Sequence, residues 1–227
     1  MQEMDSAWTW SRQPGPQEVA LILVGETNIQ GRDNPASAFK FVSRTLNAAD
    51  IVFGHLEGPL SPPSEDPEED PDIPHKLLWR HSDPRMVDGY KASGFKAFSC
   101  ASNVCYPPRA AMRSIRTLEE AGIAHCGAGR NLQEARRPAI VTVKGMTFGL
   151  LSYTSVFWPV NHAATEEKPG CATIRIHTAY EPGRRALEMP GAEPTVITVA
   201  DADALDAMRE DVRNLRSRVD VLIVSCH

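Results

Sequence analysis

The sequence predicts an α/β protein with a central, mostly parallel or mixed sheet flanked by helices. Three observations predict it. Short apolar runs such as "VALILV", "IVFG" and "VLIV" lack polar alternation, as strands covered on both faces do. Stretches with helical spacing lie between them. The first strand, helix and strand follow one another with a short return, which is a βαβ unit with a parallel pair and a right-handed crossover. The 227 residues are ample for a core of this kind.

Taken in order, residues 1–17 are a polar lead, and "EVALILVGE" is the first strand, ending in Gly25-Glu26. Asp33-Asn34-Pro35 supplies a cap and a first-turn proline. Phe39, Val42 and Leu46 then recur at helical spacing, predicting a helix over 35–49. "DIVFGHLE" is the second strand. Residues 61–75 open with "SPPSEDPEEDPDIP", six acids and five prolines in fourteen residues, which reads as a solvated loop without the spacing of a calcium site. "HSDPRMVDGYKASGF" predicts a helix begun at Ser82 or Asp83 and closed by Gly94. "KAFSCAS" is the third strand.

"PPRAAMRSIRTLEEAGI" is a helix with prolines at its start, Met112, Ile115 and Leu118 on one face, and Gly122 as its stop. "AHCGAG" is a short strand and turn. "AIVTVKGMTFGLLSYTSV" is a hairpin turning at Lys144-Gly145. Residues 157–193 carry proline, glycine and charge with weak periodicity, and predict an irregular excursion over the surface. "PTVITVAD" is a further strand, a helix follows over 203–217, and "VDVLIVSCH" is the last strand. With no repeat and no second composition regime, one domain over 1–227 is the economical reading.

Composition bounds the function. A net charge of −5 argues against a general nucleic-acid binder. No apolar run approaches the length of a membrane span, and the N-terminus has neither a basic nor an apolar leader region, so the chain reads as cytoplasmic. A longer parent with a membrane anchor is compatible with that reading. The five cysteines have irregular spacing and no C-x-x-C pair, and read as reduced, mostly buried thiols. No G-x-S-x-G and no P-loop is present.

In an open α/β sheet, ligands sit beyond the carboxyl ends of the parallel strands. The first strand ends in Gly25-Glu26-Thr27-Asn28, the second in His55-Leu56-Glu57, the third in Ser99-Cys100-Ala101-Ser102-Asn103 and the last in Ser225-Cys226-His227. Carboxylate, imidazole and amide oxygen are ligands for divalent zinc, manganese, iron or magnesium. Taken singly, Glu26 reads as a helix-cap or turn acid, His55 as a satisfied core histidine and Asn103 as a turn former. Their common place at strand ends points to one shared site.

The motifs "VGE" (Val24 to Glu26), "HLEGPLS" (His55 to Ser61), "ASN" (Ala101 to Asn103), "TLEEAGIAHCGAGRNLQEARRPAI" (Thr117 to Ile140) and the closing "VDVLIVSCH" resemble, in this order, the CapA family. These are the poly-gamma-glutamate capsule synthesis proteins, whose domain is related to calcineurin-like metallophosphoesterases. The resemblance implies a layered metallophosphatase-like fold and one or two divalent ions. It implies attack by metal-activated water on a phosphate or related ester of a small-molecule or polyanionic substrate.

The ligands it implies are Glu26, His55, Glu57, Asn103 and His227, with Asn103 and His227 also catalytic. Asn28, Arg32, Gly127 and Gly129 are expected near the substrate. Glu26 stands where the family has Asp, His55 where it has Asn, and Val104 where it has His; Pro107 falls where an acidic residue usually follows. The family's segments after the late histidine are not in this sequence, so the resemblance implies a C-terminally truncated chain or one lacking part of its site. The alternative is a degenerate, non-catalytic member that binds or assembles.

Overall fold

In the computed structural model, residues 18–62, 81–183, 185, 188–189 and 191–227 are described. The polar lead and nearly all of the acidic, proline-rich loop lie outside them.

The first sheet is parallel: β1 (Leu21–Thr27), β2 (Ile51–Leu56), β3 (Phe95–Ser99) and β4 (Ala124–Cys126), side by side in chain order. The helical segments of this half cover one face. They are a 3-10 turn at Pro35–Phe39, α1 (Ser43–Asn47), a 3-10 turn at Pro84–Met86, α2 (Val87–Ala92) and α3 (Pro108–Glu120). Phe39, Leu46, Tyr90, Ile115 and Leu118 pack there onto Val52, Phe95 and Phe98.

A two-residue strand β5 (Ala128–Gly129) and a short α4 (Leu132–Ala135) follow. The hairpin is β6 (Ala139–Val143) and β7 (Met146–Tyr153), and it turns where expected. Lys144 and Gly145 have φ of 52° and 80°, the two positive values of a primed hairpin turn.

Beyond β8 (Gly170–Cys171), β9 (Ile176–Glu181) and β10 (Thr195–Ala200) form an antiparallel ribbon. Then α5 (Ala202–Arg216) leads into β11 (Val221–Cys226), which joins β7 in parallel. The second sheet is thus β11-β7-β6.

The two sheets face each other. Phe53, Ala97 and Cys126 of the first meet Ala139, Leu150 and Ile223 of the second. On the outer face of the second sheet, Leu151, Tyr153, Leu222 and Val224 pack with Leu215 of α5. Side chains alternate along a strand, so neighbours such as Leu150 and Leu151 serve opposite layers. Both layers are apolar, which is why these strands read as unbroken apolar runs. The α/β class and the parallel sheet flanked by helices are as expected, and the layering fits a metallophosphatase-like fold. The expected central sheet is divided into two.

Two expectations are corrected. The single helix over 35–49 is broken between Phe39 and Ser43. The break lets the Phe39 ring pack on Tyr90 and Phe95 at 5.5 and 5.4 Å, while Phe41 and Val42 turn outward. The segment over 157–193 is not irregular throughout. It holds β8 and β9, and His162, Ala164, Cys171 and Ala172 are buried. Ala172 joins the halves of the molecule, donating to the Gly127 carbonyl and accepting from the Thr154 N–H.

Candidate metal centre between two sheet edges

Alternation along β2 builds the site. Phe53, His55 and Glu57 are two residues apart and project to the same side, the side facing the second sheet. Ser99 holds the same parity as Ala97 on β3, Ser152 as Leu150 on β7, and His227 as Ile223 on β11. Four separate chain segments therefore deliver polar groups to one end of the cleft between the sheets. A bulge in β1 adds a fifth: Leu23 pairs with Phe53, but Glu26, not Gly25, pairs with His55. The extra residue re-aims the end of β1, as bulges beside functional sites do.

His55, Glu57 and His227 each offer a ligand atom, and the three atoms lie within 4.8 Å of one another. His55 Nε2 is 3.5 Å and His227 Nε2 3.8 Å from the same carboxylate oxygen, Glu57 Oε2. The two imidazoles stack, centroids 4.7 Å apart and planes 8° apart. Glu26, its side chain half exposed, stands 3.4 Å from His227 Nε2.

Supporting hydroxyls orient these groups. His55 Nδ1 is 2.9 Å from Ser99 Oγ, which in turn bonds to Ser152 Oγ. Thr154 Oγ1 donates to the Val156 carbonyl at 2.7 Å, so it meets His227 Nδ1, 3.4 Å away, as an acceptor. Ser102 Oγ donates to Glu57 Oε2 at 2.7 Å. Asn28 Nδ2 donates to the Glu57 carbonyl at 2.7 Å, bracing the backbone there.

A proton on Nδ1, the position facing Ser99 in His55 and Thr154 in His227, leaves each Nε2 lone pair directed toward a carboxylate. That arrangement calls for a cation between them. His55 Nε2 is buried and, among the described residues, has no hydrogen-bond partner, the orphan an ion would satisfy. Burial pushes the Glu57 carboxyl upward. The Ser102 hydrogen bond and the imidazoles beside the carboxylate outweigh it and hold the group below the usual range. The donor set of two imidazoles and a carboxylate with positions left over suits one divalent transition ion, and the residues present fit it.

The other expected residues sort as follows. Asn103 is half-buried in the loop after β3, where its carbonyl accepts from the Trp158 indole at 3.0 Å; it is the preceding Ser102 that reaches Glu57. Val104 is buried, its N–H donating to Ser102 Oγ at 3.2 Å. Pro107 caps the start of α3. Arg32 lies exposed after β1, with a long contact to Ser37.

Gly127 and Gly129 are buried, and the space beside them is filled by protein. A Cβ on Gly127 would come within 2.7 Å of Ser152 Oγ, and one on Gly129 within 2.4 Å of the Ala135 nitrogen. Packing accounts for both glycines. Ser99, Ser102, Ser152, Thr154 and His162 were not singled out by sequence reasoning. The place of Ser99 and Ser102 in the strand-end run "SCAS" was the available signal.

All five cysteines are free thiols, four of them buried. Among the described residues no helix is long and apolar enough to cross a membrane.

Residues 17–227 match the family model described as bacterial capsule synthesis protein PGA_cap. The chain is also similar to the uncharacterized protein y4sH of Sinorhizobium fredii (strain NBRC 101917 / NGR234), 24% identical over 194 residues. That match covers 85% of this chain but 38% of the relative, so the chain spans well under half of that protein's length.

Proposed function

The chain belongs to the bacterial capsule synthesis protein family, and from that premise we propose that it is a metal-dependent, phosphoesterase-like hydrolase linked to capsule or poly-gamma-glutamate synthesis. Its ion would be held by His55, Glu57 and His227, with Glu26 adding a carboxylate from the solvent side. The observation that carries this reading is the convergence of three donors, one of them a buried and unpartnered imidazole nitrogen.

An ion bound there would supply Lewis acidity and a water of lowered pKa. The protein's own part is orientation. Ser99 and Ser152 fix the His55 ring, Thr154 fixes His227, and Ser102 fixes the Glu57 carboxylate. Asn103, next to Ser102 on the same loop, is a candidate amide for a substrate oxygen. Arg32, exposed beyond β1, is a candidate for the anionic end of a small-molecule or polyanionic substrate.

The test is metal uptake and turnover together. Purified protein incubated with manganese or zinc and dialysed is expected to retain a single ion and to hydrolyse a generic phosphodiester. His227→Ala is expected to lose both. Failure to take up either metal overturns the reading.

A second reading rests on Val104, a buried apolar side chain where the family pattern has histidine. In that reading the fold binds or assembles without catalysis. Metal retention without turnover, with turnover gained in Val104→His, would favour it.

A further inference from the structure

Behind the Ser102-Asn103 loop lies a second cavity, of about 380 Å³, a size common for small-molecule sites. Tyr106, Phe157 and Trp158 form apolar walls, and Arg109, Lys168 and Arg175 bring three positive charges. Among the described residues no carboxylate lines it, although acids outnumber bases in the whole chain. The neighbouring Glu166 belongs to the wall of a separate cleft. Low-dielectric walls around Lys168 and Arg175 focus their field into the cavity. The Arg175 guanidinium lies over the Phe157 ring, 5.3 Å from its centroid, a cation–π contact that holds this charge at the cavity wall.

The cavity is firmly attached to the metal centre. His162, on its wall, accepts from the Trp158 N–H at 3.1 Å through Nδ1 and donates from Nε2 to the Ser102 carbonyl at 3.1 Å. Both ring nitrogens are used, so His162 is a neutral brace. Ser102 is the residue that holds Glu57. One loop thus forms a wall of the cavity and supports the candidate ligand.

We propose that this cavity is an oxyanion subsite, built for a small, multiply charged carboxylate or phosphate with an apolar stem. It seats the anionic part of the molecule processed beside Glu57. Only that last role rests on the function proposed above; anion binding rests on the cavity alone.

Calorimetric titration of metal-depleted, dialysed protein with inorganic pyrophosphate, and separately with citrate, tests it and separates phosphate from carboxylate preference. Saturable binding of at least one anion is expected. Lys168→Gln with Arg175→Gln is expected to weaken binding at least tenfold, and Arg109→Gln alone to weaken it measurably. His227→Ala should bind the anion within twofold of the parent protein. No saturable heat with either anion, or undiminished binding by the folded double variant and by Arg109→Gln, overturns the proposal. If anion binding persists while metal uptake fails, the hydrolase reading falls and the subsite stands.

Discussion

The imidazoles of His55 and His227 lie face to face, 4.7 Å between centroids, and both direct Nε2 at the same oxygen of Glu57. One ring belongs to the end of the parallel sheet and the other to the last strand of the second sheet. Two imidazoles brought this close around one carboxylate form a donor set that fits a divalent cation. The predictions below follow from that geometry and from the packing that holds it.

Ser102→Ala removes the hydroxyl that orients the Glu57 carboxylate. Groups that hold a ligand in place are worth roughly 10–100-fold in metal affinity. Titration with zinc or manganese should register a loss in that range, with the circular dichroism spectrum unchanged. An unaltered affinity would show that Glu57 needs no such support.

Gly127→Ala meets two obstacles. The residue has φ of 90°, and its new methyl would come within 2.7 Å of Ser152 Oγ and 2.8 Å of the Ala101 Cβ. Left-handed strain and overpacking together should cost about 2–3 kcal/mol, read as a lower urea midpoint. Because Ser152 supports Ser99 and through it His55, metal affinity should fall as well.

Asp211 accepts a two-pronged contact from Arg136, at 2.7 and 2.9 Å, and the Tyr153 hydroxyl at 2.7 Å. It ties α5 to α4 and to β7 on the side of the second sheet away from the metal centre. Asp211→Ala strands a partly buried guanidinium and a phenol and should cost about 2–3 kcal/mol. Chemical unfolding measures it, and metal affinity should be unchanged.

Burial pushes the His125 imidazole below its ordinary 6.5, and Glu119, 3.1 Å away, offsets this only in part. The unfolded chain therefore takes up a proton near that pH while the fold does not. Stability from this group is complete above about pH 6.5, declines as pH falls through it, and levels off once the folded imidazole is also protonated. His81 is lowered by burial too and adds to the same decline. His125→Gln should make stability less sensitive to pH between roughly 7 and 5. An identical pH profile would count against the burial argument.

Much of this was legible in the sequence because it depends on local pattern. The residues 107–123 carry their own start, stripe and stop, and the helix forms there. Lys144-Gly145 announces its turn. The run from Ile51 to Glu57 contains both a buried strand and the two groups it delivers, so the rim of strand ends could be named without coordinates.

Features that depend on distant partners were not legible. Nothing near Val42 says that Phe39 will leave the helical stripe to join Tyr90 and Phe95. The β9 strand forms because β10 pairs with it, and its own "IHTAYE" has little burial to mark it. Single serines and threonines carry no periodic signal, so Ser99, Ser102, Ser152 and Thr154 emerge only when two sheets bring them to the same ligands. His162 was hidden likewise, inside a stretch whose prolines and charges pointed to open surface.

The division of the architecture into two facing sheets has a mechanical consequence. His55 and Glu57 ride on one sheet and His227 on the other, so a coordinated ion would act as a rivet across the seam. Occupancy would then resist shearing apart of the halves and raise the melting point, by about 2.7 kcal/mol of linkage at a hundredfold excess over the dissociation constant. A chelator added to loaded protein would loosen the β11 edge first, visible as faster amide exchange along Val221–Cys226.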